Sequence, residues 1–199
     1  GSRADIGAYP YLNSYSGPTW YITEDGNDTT ATGASNDPFR SIQSGINFSS
    51  DADSVTVAAG TYVENVNFRG RNIKVVGEDS SNTVIDGNEN GVVVDMQNNS
   101  ESLLKNFKIM NGTGSEGNGG GIKVSESTAT LENLSITANH VNANGGGIWI
   151  WGANIIIKNS TFTSNTAQNG GQQEPPLGGG IFCAENSALS LSGVTVSHN

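Results

Sequence analysis

Few residues in this 199-residue chain have types and spacing that could do chemistry. Asp25-Gly-Asn27-Asp28 puts three oxygen-bearing side chains within four residues, the ligand type that Ca²⁺ takes. No Glu stands twelve residues on to complete an EF-hand-like loop, so the stretch reads first as an Asx-rich turn and second as a Ca²⁺ site. Trp149 and Trp151 alternate with Ile148 and Ile150, which predicts two indoles on one outward face with Phe182 beside Trp149. Such a face could stack sugar rings or contact a neighbouring protein. Gly152 follows at once, so Trp151 could instead fold over a corner.

Other candidates weigh less. Elimination in a uronate polysaccharide needs an Arg or Lys base beside carboxylate-held Ca²⁺, and hydrolysis needs carboxylates clustered on one face. The four arginines are Arg3, Arg40, Arg69 and Arg71. Arg69 and Arg71 flank Gly70 and read as a solvated turn. Asp79 and Asp86 fall in separate turns, and aligned acids do not recur from repeat to repeat. His140 and His198 have no second ligand at metal spacing. Cys183, the single cysteine, occupies an inward strand position and reads as a small core residue.

These residues hang on a repeat. Gly-Gly-Gly-Ile occurs at 119–122, 145–148 and 178–181, and each copy ends in an apolar residue, two small or polar ones and Asn. The endings close at Asn139, Asn165 and Asn199. Leu131, Ile157 and Leu191 align between start and finish, as do Asn133 and Asn159 with Gly193. Leu104-Lys-Asn106-Phe-Lys-Ile109 matches Leu131-Glu-Asn133-Leu-Ser-Ile136, an earlier copy without the glycines. The longer interval before the third copy holds an insertion, 168–177, placed beside the tryptophan face. A period in this range means a solenoid, and β-branched residues with glycines exclude helical repeats. Three short strands per turn predict a triangular coil with like residues stacked at about 4.8 Å. Ile122, Ile148 and Ile181 then form one internal ladder. Asn106, Asn133 and Asn159 form a corner ladder, and Asn139, Asn165 and Asn199 another.

Composition bounds the rest. The chain is 34% hydrophobic, with 27 glycines, a net charge of −10 and a pI near 4.4. That balance argues against nucleic acid or an anionic membrane as partner. No stretch approaches 18 consecutive apolar residues, so no membrane-spanning helix is expected. The lack of any possible internal disulfide suits a bacterial surface protein. Six Asn-x-Ser/Thr sequons occur, at Asn27, Asn47, Asn98, Asn111, Asn133 and Asn159. In a chain so rich in these residues most are accidental.

Residues 1–18 read as a linker or the end of a preceding module. Asp5-Ile-Gly-Ala-Tyr9 resembles the segment that closes helix domains in large bacterial β-helix surface proteins, with Pro10 where those usually carry Glu. Residues 19–65 read as an N-terminal cap: a strand over 19–23, a polar loop over 24–37, an amphipathic helix of about three turns starting at Pro38, then Val55-Thr-Val57 and Gly60-Thr-Tyr62. This run resembles the opening of right-handed pectate-lyase-like β-helix domains, which implies the fold and says little about activity. Residues 66–199 supply the coils, with Val66–Phe68, Ile73–Val76, Thr83–Ile85 and Val92–Val94 as early strands. The Gly-Gly-Gly-Ile starts and endings such as Phe162-Thr-Ser-Asn165 resemble the repeats of chlamydial polymorphic outer membrane proteins, which implies surface display.

The expected architecture is an all-β, right-handed parallel β-helix of three sheets and about six coils, with one N-terminal capping helix and an open last coil. Its axial length would be roughly 30 Å. The expected function is a non-catalytic extracellular structural or adhesive segment of a larger surface protein or filament, its coils meeting end to end either another copy or more of the same chain, with polysaccharide as a further partner. Two alternatives stand beside it: the N-terminal part of a polysaccharide lyase or hydrolase, and a carbohydrate-binding module using Trp149.

Overall fold

A computed structural model describes residues 15–114, 119–168, 176–184 and 186–199. The segment at 5–10 and most of the insertion therefore lie outside the described residues. The cap comprises β1 (Thr19–Ile22), α1 (Ile42–Phe48), β2 (Ser54–Val57) and β3 (Gly60–Val63). The first full coil follows as β4 (Val66–Asn67), β5 (Lys74–Gly77) and β6 (Thr83–Asp86). The second is β7 (Val94–Gln97), β8 (Ser102–Lys105) and β9 (Lys108–Met110). The third is β10 (Ile122–Ser125), β11 (Thr128–Glu132), β12 (Ser135–Thr137) and β13 (His140–Val141). The fourth is β14 (Ile148–Trp151), β15 (Asn154–Lys158), β16 (Thr161–Thr163) and β17 (Thr166–Ala167). The fifth is β18 (Ile181–Cys183), β19 (Ala188–Ser192) and β20 (Thr195–Ser197).

Strands from successive coils pair in parallel, giving seven-, six- and five-stranded sheets and a small fourth sheet of β13 and β17. The result is a parallel β-helix of five full coils with a partial opening coil. The expected internal ladder is present: Ile122 pairs with Ile148, and Ile148 with Ile181. Leu104, Leu131, Ile157 and Leu191 stack likewise in the seven-stranded sheet. Burial is complete through the middle coils and falls off in the fifth, where Leu191 and Val196 are each 49% exposed. Cys183 belongs to this open coil. It pairs in register with buried Ile150, as its alternation requires, yet it is exposed, because among the described residues no further strand covers it.

The glycine triplet has two separate physical reasons. Its first residue sits at positive φ in all three copies, +75° at Gly119, +74° at Gly145 and +68° at Gly178. The next two lie where successive backbones nearly touch: a Cβ at Gly147 would come within 2.4 Å of the Gly180 carbonyl oxygen. The parallel ladder runs through the triplets, with Gly121 N–H donating to the Gly146 carbonyl (2.9 Å) and Gly147 N–H to the Gly179 carbonyl (2.8 Å).

Both asparagine ladders exist, in different conformations. Asn106, Asn133 and Asn159 are themselves left-handed, with φ of 64°, 54° and 48°, and Gly193 takes the same place at 65°. Asn133 Nδ2 donates to Asn106 Oδ1 at 2.8 Å. In the second ladder the left-handed residue is the one before the asparagine: Ala138, Ser164 and His198. That preceding turn aims the side chains of Asn139 and Asn165 inward, where both are fully buried.

The capping helix is shorter than its apolar spacing suggests. Residues 38–40 stay with the sheet: Phe39 N–H donates to the Tyr21 carbonyl and Thr23 N–H to the Phe39 carbonyl. The helix starts only after Ser41, whose side chain accepts from Ser44 N–H, and the Glu64 carboxylate takes the N–H groups of Ile42 and Gln43 at 2.8 and 3.0 Å. Ile42 and Ile46 are buried, and Trp20, Phe39 and Phe48 pack against one another in a three-ring cluster. This cluster closes the first coil against water.

Candidate functional site

Alternation along β4, β7, β10, β14 and β18 sends every second side chain outward, and parallel register lines those side chains up across coils. Asn67, Asp95, Lys123, Trp149 and Phe182 form one column on the five-stranded sheet. Gln97, Ser125 and Trp151 form the next. The three expected aromatics therefore do meet on one face. Phe182 is the register neighbour of Trp149, and the two indoles are nearly parallel, with 6° between planes and 5.9 Å between centroids.

The two tryptophans are not equivalent. Trp151 is 51% exposed, whereas Trp149 is only 8% exposed despite pointing outward. Trp149 stands beside the Trp151 ring, and Lys123 Nζ lies 5.9 Å from its centroid, within cation–π range. The Trp149 Cβ also packs over Gly145, where a side chain would come within 2.8 Å. Trp149 is thus a support and Trp151 the accessible surface.

Asp95, Gln97 and Asn67 join this face without having been expected there. Gln97 Nε2 donates to both Asp95 carboxylate oxygens at 2.8 and 2.7 Å, and Asn67 Nδ2 donates to Oδ2 at 3.2 Å. Burial pushes the Asp95 carboxyl above the ordinary aspartate value of 3.8, and the Gln97 hydrogen bonds and the Lys123 charge offset part of that push. The strand occupies Val94–Gln97 rather than Val92–Val94. Aligning Val94-Asp95-Met96 with Ile122-Lys123-Val124 would have revealed it.

Asp25, Asn27 and Asp28 lie elsewhere, in the loop between β1 and α1. Asn27 Oδ1 accepts from Thr29 and Thr30 N–H, and Asp28 Oδ1 from Arg40 and Ser41 N–H. Burial opposes ionisation of Asp28, but its hydrogen bonds from Ser41 and Arg40 outweigh that and hold its carboxyl below 3.8. These oxygens brace a turn and the start of the helix. Among the described residues no three His, Cys, Asp or Glu side chains come together as a metal site. Asp28 also lines a hollow with Glu24, Tyr62 and Glu64, where burial followed by the nearby Glu24, Glu64 and Glu78 charges pushes the Tyr62 pKa up to about 12. Each glutamate lining the hollow also holds backbone: Glu24 accepts from Thr61 N–H, and Glu64 caps the helix. His140 is exposed on β13 and His198 is exposed at a corner, and Arg71 donates to the Ile46 carbonyl.

No helix among the described residues is long and apolar enough to cross a membrane. No curated protein sequence matches the chain. Among solved structures, a pectin methylesterase mutant in complex with hexasaccharide IV shares the fold, with a TM-score of 0.52 at 12% identity. That likeness covers 90% of this chain and 66% of the other, so the chain spans just under two thirds of the enzyme's length. The sequence model described as "Right handed beta helix region" matches residues 90–199, more than half of the chain. With coils β7 to β20 falling in that match, the chain belongs to the right handed beta helix family.

Proposed function

We propose that this chain is a non-catalytic, extracellular adhesive segment that holds a saccharide on the outward face of its five-stranded sheet. The observation that carries the reading is Trp151, half exposed and held parallel to a supported Trp149. An aromatic plate with Ser125 in register beside Trp151 and Gln97 one strand further combines the apolar face and the hydroxyl and amide partners that a sugar ring uses. The backbone beneath it is ordered by five stacked coils, so little is lost in arranging it. Acid-base glycoside cleavage takes a pair of carboxylates, and the strands of this face carry only Asp95 among the described residues. The resemblance of the repeats to those of surface-displayed proteins supports the location. The pectin methylesterase with its hexasaccharide shares only the fold, so the saccharide reading rests on the tryptophans.

Titrating the protein with oligosaccharides while following tryptophan emission tests this. Trp20 is buried at the far end and serves as an internal reference. Trp151→Ala should abolish binding with the circular dichroism unchanged. Binding that survives the substitution would sink the proposal.

A second reading, catalysis on the same face, is favoured by one observation. Asp95 is a partly buried carboxyl of raised pKa beside a lysine, the environment of many acid-base groups. It predicts new reducing ends or unsaturated products from a polysaccharide, lost in Asp95→Asn.

A further inference from the structure

The saccharide face has a charge pattern that the tryptophans alone do not explain. Its outward columns hold one carboxylate, Asp95, and one ammonium, Lys123, on adjacent strands in direct register. The remaining column members, Asn67, Gln97, Ser125, Trp149, Trp151 and Phe182, are uncharged. The strands of this face therefore carry no net charge, on a chain whose net charge is −10.

Asp95 and Lys123 do not come within ion-pair distance of one another. Each is held by something else. Asp95 is gripped by Gln97 and Asn67, and Lys123 leans over the Trp149 ring. They are fixed opposite charges facing the same ligand from neighbouring rungs, about 4.8 Å apart along the axis.

We propose that this face selects an uncharged glycan, with Asp95 and Lys123 as the residues that set the selectivity. The inference rests on the saccharide reading above and specifies its ligand class. A polyanion would gain Lys123 but meet Asp95 one rung away, and it would approach against the charge of the whole chain. A polycation would gain Asp95 but press on Lys123 where Lys123 covers the aromatic platform. A neutral sugar meets both groups as hydrogen-bonding partners and leaves neither charge unbalanced.

The test uses three sets of hexasaccharides: neutral ones (gluco-, manno- and xylo-), hexagalacturonate, and hexaglucosamine. Binding is read by calorimetry on wild type, Asp95→Asn, Lys123→Gln and Trp151→Ala. A neutral hexasaccharide should bind in a Trp151-dependent way, with affinity nearly constant between low and high salt. The charged ones should bind at least about tenfold more weakly, the effect of one unbalanced, partly buried charge. Asp95→Asn should raise affinity for hexagalacturonate, and Lys123→Gln should raise affinity for hexaglucosamine. Both substitutions are near-isosteric, and melting curves establish that they fold. Trp151-dependent binding of a charged hexasaccharide at least as tight as that of any neutral one would overturn the selectivity while leaving the saccharide face standing. No binding by any of the three sets would remove the face, and the selectivity with it.

Discussion

Asn139 Nδ2 donates to Asn165 Oδ1 at 2.9 Å, and the same oxygen accepts from the Asn139 N–H at 3.2 Å, so one buried carboxamide holds the next coil by two bonds. Asn165 Nδ2 passes the pattern on to Asn199 Oδ1 at 2.9 Å. The third glycine of each triplet makes room for this line. A Cβ at Gly121 would come within 2.9 Å of Asn139 Nδ2, and one at Gly180 within 3.1 Å of Asn199 Nδ2. The two ends of each repeat are thus one contact.

Removing a middle rung should cost heavily. Asn165→Ala strands the buried N–H of Asn139 and removes the Nδ2 bond to the Ile136 carbonyl, while Asn199 Oδ1 loses one of its two donors and keeps the Asn165 N–H. Unsatisfied buried groups cost about 1–3 kcal/mol each, so a loss of ~3 kcal/mol is expected by chemical denaturation. A change below about 0.5 kcal/mol would show the ladder to be ornamental.

The glycines divide into two classes that substitution should separate. Gly147→Ala drives a Cβ to 2.4 Å from the Gly180 oxygen and should break local pairing. Gly152→Ala meets only the Glu126 Cγ at 3.9 Å, and its φ of +57° should cost about 1 kcal/mol. The ranking of melting temperatures checks this, with Gly147→Ala well below Gly152→Ala.

The tryptophans should show opposite profiles. Trp149→Ala removes a side chain only 8% exposed and should cost about 3 kcal/mol of stability. Trp151→Ala should leave the melting temperature within a few degrees of wild type while removing glycan binding. Equal losses of stability in both variants would contradict the support-and-surface division.

Asp95 should leave a mark on acid stability. Its carboxyl holds a proton more tightly when folded than the ordinary value of 3.8 allows. Between 3.8 and the raised value the folded state binds more protons than the unfolded, so this group's contribution falls as pH rises through that window. The penalty is complete above it. Asp95→Asn lacks the titration, so its stability relative to wild type should grow as pH rises from 3.8 and then level off. A pH-independent difference in guanidinium midpoints would refute the assignment.

The legible parts of this protein were those written in repetition. Three Gly-Gly-Gly-Ile starts and three terminal asparagines determine a solenoid, because only stacked parallel strands make the same residue type useful at the same place in every coil. Register followed too: the pairings of Ile122, Ile148 and Ile181 are those that alternation demands. What stood outside the repeat was decided in three dimensions. Asp95 reached the aromatic face because β7 begins at Val94, a register set by pairing with β10 rather than by its own apolar run. The helix lost its first turn because Phe39 found better partners in β1. Trp149 is covered and Trp151 open because of a lysine one coil away and the parallel setting of two rings, relations that no linear spacing encodes.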